Sequence, residues 1–204
     1  MRNLPNILSA GRLVATLPLF ILVLFNQPAA YLWATALFLF ASVSDTLDGR
    51  IARRYHIVSR LGVFLDLTAD KVFVAAILVA LTAVGVVPAW ITIIIIAREF
   101  LVSGLRSLAA AQGVVIAAGR WGKQKTLLTL LALGGVLLAL GLHGATAFPL
   151  GLSVASHGPR TFADYLLVLA DITLLLAVLW TIFSAVEYLW SARAVITDPA
   201  PEKQ

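Results

Sequence analysis

The chain has 204 residues, of which 61% are hydrophobic and only 12% charged, and its mean hydropathy is +0.98. This balance excludes an ordinary soluble domain and a disordered chain, and the absence of cysteine excludes disulfides and thiolate metal ligands. A formal net charge of +5 could suggest nucleic acid, but in so apolar a chain it reads as membrane topology and attraction to anionic headgroups, with no nucleic-acid partner.

Six apolar stretches are each long enough to cross roughly 30 Å of hydrocarbon. They run over about 7–26, 30–49, 63–86, 89–111, 124–143 and 163–190. The prediction is an all-α integral membrane protein, with six transmembrane helices in one bundle whose surroundings are the lipid bilayer. Met1 to Arg12 is polar and interrupted by Pro5, then flows into a full span, so the first helix is expected to stay rather than be cleaved. Asn26-Gln27-Pro28 and Gly85-Val86-Val87-Pro88 are tight turns built from helix breakers. The connection 144–160 is longer. Residues 1–195 form one transmembrane domain, and 196–204, with Pro199 and Pro201, a flexible C-terminal tail.

Orientation follows from the basic residues, which gather on cytoplasmic flanks. Of the fifteen, Arg160 alone lies in an odd-to-even connection. Arg2 and Arg12 flank helix 1; Arg50, Arg53, Arg54 and Arg60 surround the turn after helix 2; Arg120, Lys123 and Lys125 precede helix 5; Arg193 and Lys203 follow helix 6. Both termini are therefore expected in the cytoplasm.

The exception to this apolar pattern is acidic: Asp45-x2-Asp48-Gly49-x2-Ala52-Arg53-x8-Gly62-x3-Asp66-x3-Asp70. One ionised carboxylate at a bilayer centre costs about 2.5 to 3.5 kcal/mol, so four in or beside apolar helices would cost on the order of 10 kcal/mol without compensation. Asp45, Asp48 and Ala52 share one face of helix 2, and Asp66 and Asp70 one face of helix 3. A short turn around Arg54 to Arg60 folds these helices into an antiparallel hairpin, so the acidic faces converge at the cytoplasmic end. Gly49 and Gly62 remove side chains where a ligand or another backbone approaches. Helix capping accounts for Asp45 or Asp48 but not for Asp66 and Asp70 inside a predicted span.

Oxygen donors of this kind suit hard cations, Mg²⁺, Mn²⁺ or Ca²⁺. Four carboxylates have room for two ions, the arrangement that clamps an in-line displacement at phosphorus. A second function class, a divalent-cation transporter, would use the same carboxylates as a permeation site, but the chain lacks paired internal repeats and broken mid-membrane helices.

Helix 4 carries Arg98-Glu99 near mid-span, and Arg106 follows eight residues later, about 80° round the helix. Arginine at that depth must face an aqueous cavity or a partner, and Glu99 is one possible partner, although adjacent helical residues do not face each other well. With Lys123 and Lys125 entering helix 5, these cations fit a phosphate-bearing small molecule better than a neutral alcohol.

The acidic window resembles, at every position, the signature of the CDP-alcohol phosphotransferase family. That resemblance implies six transmembrane helices, a homodimer, an active site facing the cytoplasm, and a two-metal site taking Mg²⁺ or Mn²⁺ and held by Asp45, Asp48, Asp66 and Asp70. It makes Asp70 the general base that deprotonates the acceptor hydroxyl as CMP is displaced. It makes Asp48, Gly49 and Arg53 contacts to the CDP-linked donor, with Ser59 in the turn, and Asn6 and Ser9 at the start of helix 1, as further donor contacts.

Ala97-Arg98-Glu99-Phe100-x2-Ser103-Gly104-Leu105-Arg106, Gly122-Lys123-x-Lys125-Thr126 and the opening Asn3-Leu4-Pro5-Asn6-Ile7-Leu8 are similar to the bacterial phosphatidylglycerophosphate synthase branch. This implies CDP-diacylglycerol as donor and glycerol 3-phosphate as acceptor, in the inner (cytoplasmic) membrane, with Arg98, Arg106, Lys123 and Lys125 gripping the acceptor phosphate. Inositol phosphate, or phosphatidylglycerol as in a cardiolipin synthase, is the alternative acceptor for the same chemistry.

Overall fold

The computed structural model describes the backbone of residues 4–55, 60–112, 120–143 and 161–197. Side chains are described for all of these except 4–9, 45–55, 60–61, 63–66, 120–123, 143, 191–192 and 194–197. Six helices account for almost all of it: α1 (Leu4–Leu24), α2 (Pro28–Tyr55), α3 (Arg60–Ala83), α4 (Ala89–Ala111), α5 (Arg120–His143) and α6 (Phe162–Thr197). Each overlies one of the six apolar runs. Helix α2 carries on through Asp45, Asp48 and Arg53, and α6 reaches Thr197, so the first residues of the expected tail are helical.

The two turns read from the sequence are present, and their chemistry is visible. Asn26 adopts a positive φ of 50°, which asparagine tolerates better than most residues, and its Oδ1 accepts a 2.8 Å hydrogen bond from the Tyr31 hydroxyl. After α3, Gly85 takes φ 78°, its N–H reaches Thr82 O, and the Val86 N–H reaches back to Leu81 O at 2.9 Å. This paired closure satisfies terminal carbonyls and needs a residue without a Cβ at the left-handed position. Pro88, extended at φ −60° and ψ 138°, then precedes α4.

Helix pairings close a ring in the order α1, α2, α5, α6, α4, α3 and back to α1, with α3 also touching α5. For helices α2 and α3, the turn of the expected hairpin and the side chains of Asp45, Asp48 and Asp66 on either side of it lie outside the described residues. Among the described residues the two helices meet through Phe38 and Phe73, whose rings stack at 5.6 Å and 9°, while α1 packs against both and buries Leu19 and Val23 completely. The remaining core includes Ile77, Leu81, Ile91, Leu133, Leu137 and Leu174.

Glycine sets the spacing around α5. A Cβ on Gly135 would lie 3.0 Å from Ala170 Cβ on α6, and one on Gly141 would lie 2.7 Å from Leu32 Cδ2 and 3.1 Å from the Leu32 backbone nitrogen on α2. Small residues at these crossings let helices approach where dispersion contacts must supply the cohesion. Polar hydroxyls are hidden locally: Thr16, Thr35, Thr129 and Thr181 each donate to the carbonyl four residues earlier.

The outside is as apolar as the inside. Val14, Trp33, Phe40, Phe162 and Phe183 each leave 70% or more of their surface exposed. Among the described residues, two helical segments, Gln124–Leu142 and Phe162–Trp190, are long and apolar enough to cross a membrane, and Ala10–Leu24 and Pro28–Ser44 are shorter apolar segments. Charges interrupt the other two helices, Asp66, Asp70 and Lys71 in α3 and Arg98, Glu99 and Arg106 in α4.

Candidate active site

Helices α3, α4 and α5 enclose a cavity of about 20 Å³, space for roughly one water molecule. Helix α3 contributes Asp70 and Lys71, α4 contributes Glu99, and α5 contributes Lys125, Thr126 and Thr129, with Val74 and Ile95 completing the wall. Residue spacing explains the convergence. Lys125 and Thr129 lie one turn apart on the α5 face that meets α3, and Asp70 and Val74 stand in the same relation on α3.

Its polar groups are joined across helices. Arg98 Nη1 lies 3.2 Å from Glu99 Oε1, and the same Oε1 pairs with Lys125 Nζ. The other Nη of Arg98 donates to Ser184 Oγ on α6. Lys125 is 4% exposed, an ammonium almost wholly removed from solvent, and the Glu99 carboxylate, with Asp70 in the same wall, supplies its counter-charge. Thr129 leaves that charge alone, since its hydroxyl donates to the Lys125 carbonyl at 3.0 Å.

The structure brings two sequence-predicted site residues, Asp70 and Lys125, to one cavity. Arg98 stands behind Glu99 and is not among the lining side chains. Arg106 is exposed and likewise absent from the cavity wall. Asp45, Asp48, Gly49 and Arg53 lie on the last turns of α2, Asp66 in the first turns of α3, Lys123 in the first turn of α5, and Asn6 and Ser9 near the start of α1. The side chains of those eight residues, and Ser59 altogether, fall outside the described residues. Gly62 is buried.

Among the described residues no group of three or more His, Asp or Glu side chains stands together as a metal site. The donor chemistry nevertheless fits a hard divalent cation: Asp70 lines the cavity, and Asp66 precedes it by one turn of the same helix.

Glu99 and Ser184 are the site members that sequence reasoning underweighted. Glu99 had a signal, an acidic residue inside a predicted span, but Ser184 is one hydroxyl among many and had none.

The chain as a whole is similar to known proteins. The family described as CDP-alcohol phosphatidyltransferase matches residues 2–190. The chain is 34% identical over 201 residues to the CDP-diacylglycerol–glycerol-3-phosphate 3-phosphatidyltransferase of Bacillus subtilis (strain 168), covering 92% of this chain and 94% of that protein. Similarity to a protein of the same description from Haemophilus influenzae is 34% over 202 residues, 96% of each chain. A third relative of that description, from Rickettsia bellii, is 39% identical over 151 residues, 74% of this chain and 82% of its own.

Proposed function

The chain belongs to the CDP-alcohol phosphatidyltransferase family, and we propose that it transfers the phosphatidyl group of CDP-diacylglycerol to sn-glycerol 3-phosphate, giving phosphatidylglycerol phosphate and CMP. The observation that carries this reading is the shared cavity, in which Asp70 of the acidic signature and the buried cation Lys125 meet. Relatives bearing the name of that reaction over most of their length support it.

Asp70 takes the proton from the primary hydroxyl of the acceptor as that oxygen attacks the phosphorus bearing the diacylglycerol. The bond from this phosphorus to the oxygen bridging to CMP breaks, and CMP leaves with the bonding pair. Lys125, aided by the positive charge of Arg98, Arg106 and Lys123, holds the acceptor phosphate. Arg53 binds the donor phosphates, Gly49 and Asp48 lie against the nucleotide, and Asn6, Ser9 and Ser59 complete the donor contacts. Asp45, Asp48, Asp66 and Asp70 would hold Mg²⁺ or Mn²⁺, a pair of which neutralises charge on the pyrophosphate when bound.

The exposed apolar exterior is read as lipid-facing, with six spans, both termini in the cytoplasm and the site opening there, in the inner (cytoplasmic) membrane. A homodimer belongs to the same reading through the family resemblance. Donor acyl chains then stay in the bilayer while the headgroup enters the polar end.

The test is CMP release by purified protein in detergent with CDP-diacylglycerol, Mg²⁺ or Mn²⁺, and either glycerol 3-phosphate or inositol phosphate. CMP formed with glycerol 3-phosphate and not with inositol phosphate is the expected result. Release with inositol phosphate alone would replace the acceptor, and metal-dependent binding without CMP from any acceptor would sink the transferase.

A further inference from the structure

Ser184, Arg98, Glu99 and Lys125 form a polar chain that crosses three helices before it reaches the cavity. Only its last two members line that cavity. Adjacent residues on a helix diverge by about 100°, so Arg98 and Glu99 meet only because both long side chains bend to one side. Ser184, fixed on α6, accepts from one Nη of Arg98 and leaves the other for Glu99. Arg98 is thereby tied on both sides, and its buried Nε has no hydrogen-bond partner among the described residues.

We propose that Glu99 is the positioning residue of the acceptor site: a carboxylate anchored by Arg98 that fixes the Lys125 ammonium at the cavity wall, so that an incoming phosphomonoester meets a pre-set cation. This rests on the acceptor reading above and deepens it.

A simple Coulomb count argues the reverse, because removing Glu99 would leave the cavity more positive and more attractive to phosphate. Positioning outweighs that gain for two reasons. Lysine is a point charge on a flexible four-carbon stem, unlike the rigid fork of arginine, so its placement depends on an external anchor. A buried ammonium deprived of its partner also turns to the next available carboxylate, and Asp70 lines the same cavity. Without Glu99, Lys125 rests wholly on the group that must accept the proton. Glu99 therefore presents Lys125 to the phosphate and shares the ammonium with Asp70, so that Asp70 does not carry it alone.

The experiment measures initial rates of CMP release by the full-length protein in detergent, with CDP-diacylglycerol and Mg²⁺ present and glycerol 3-phosphate varied. Glu99→Gln is expected to raise the KM for glycerol 3-phosphate by about tenfold or more while the KM for the donor stays within about twofold. Glu99→Asp, which keeps the charge, recovers part of that loss. Lys125→Met raises the same KM, and the Glu99→Gln/Lys125→Met double variant is no worse than Lys125→Met alone, because both act through one ammonium.

Should Glu99→Gln fail to fold, the double variant, which removes the buried ammonium together with its carboxylate and leaves Arg98 on Ser184, and Ser184→Ala, expected to raise the acceptor KM about two- to threefold by loosening Arg98, carry the test. An acceptor KM that is unchanged or lowered in folded Glu99→Gln, additive effects of the two single substitutions, or a loss confined to kcat overturns the positioning role alone. Wild-type protein that releases no CMP with any phosphorylated acceptor overturns the reaction reading and this inference with it.

Discussion

Two acidic side chains among the apolar helices, one half-buried and one buried, meet opposite treatment. Glu99 on α4 is paired with Arg98 and Lys125, and it borders a cavity. Asp171 on α6 is 8% exposed, and its Oδ2 makes no hydrogen bond among the described residues. It stands thirteen residues before Ser184, roughly 20 Å along the helix from the level at which Arg98 is held. The contrast teaches that this bundle spends its buried polarity at one end. There Glu99 stands between two cations, whereas the carboxyl in the apolar part of α6 is a cost that the surrounding packing carries.

The sharpest way to break this comparison is to remove the carboxylates in turn. Asp70→Asn is expected to lower CMP release by about a thousandfold, the scale of losing a general base. Asp171→Asn, assayed beside it, should remain within about twofold of wild type. Comparable losses from both would mean that catalytic polarity is not confined to the cavity.

A smaller effect separates paired from unpaired charge in stability. Breaking a fully buried pair costs about 3 to 5 kcal/mol, and Glu99, 22% exposed, should cost somewhat less, about 2 kcal/mol. Thermal unfolding in detergent should therefore show Glu99→Gln several degrees below wild type. Adding Lys125→Met should return part of the difference, since it removes one of the two cations that Glu99 pairs while Arg98 keeps its contact with Ser184. A double variant less stable than either single one would mean that the ion pair itself holds α4 to α5.

The apolar seam gives a third measurement. Gly141→Ala forces a methyl to within 2.7 Å of Leu32 Cδ2 and 3.1 Å of a backbone nitrogen, and overpacking of that kind costs about 1 to 3 kcal/mol. The melting temperature should fall while the KM values for donor and acceptor hold, because α2 and α5 cross there well away from Lys125. A shifted acceptor KM would instead reveal mechanical coupling along α5.

Much of the architecture was legible because it depends on local rules. Apolar run length marked all six helices, and Asn26 and Gly85 marked the turns by their tolerance of positive φ. The acidic spacing singled out Asp70 because carboxylates inside a span demand an explanation. What could not be read was neighbourhood. The order of the ring, in which α1 lies against both α2 and α3 and α5 against both α2 and α6, has no signal in the sequence. Only that order carries α4 to α6 and α3 to α5, and hence Arg98 to Ser184 and Asp70 to the cavity of Lys125. Arg106 looked equivalent to Arg98 on a helical wheel, yet it lies two turns away and is exposed.

The smallest expected effect concerns Asp171 itself. If its carboxyl is a tolerated cost, then Asp171→Val, close in size and without polar atoms, removes the penalty of an unsatisfied buried oxygen at the expense of slight repacking. The net gain should be about 1 kcal/mol, a rise of roughly 2 to 4 °C in the melting temperature for a chain of this size. Activity and both KM values should be unchanged. A lower melting temperature with intact activity would indicate that Asp171 has a structural partner when the protein is in its own surroundings, and a loss of activity would make the two acidic side chains alike after all. Because the substitution removes no cation and touches no cavity-lining residue, any change in acceptor KM would have to travel along α6 to Ser184, whose hydroxyl holds Arg98.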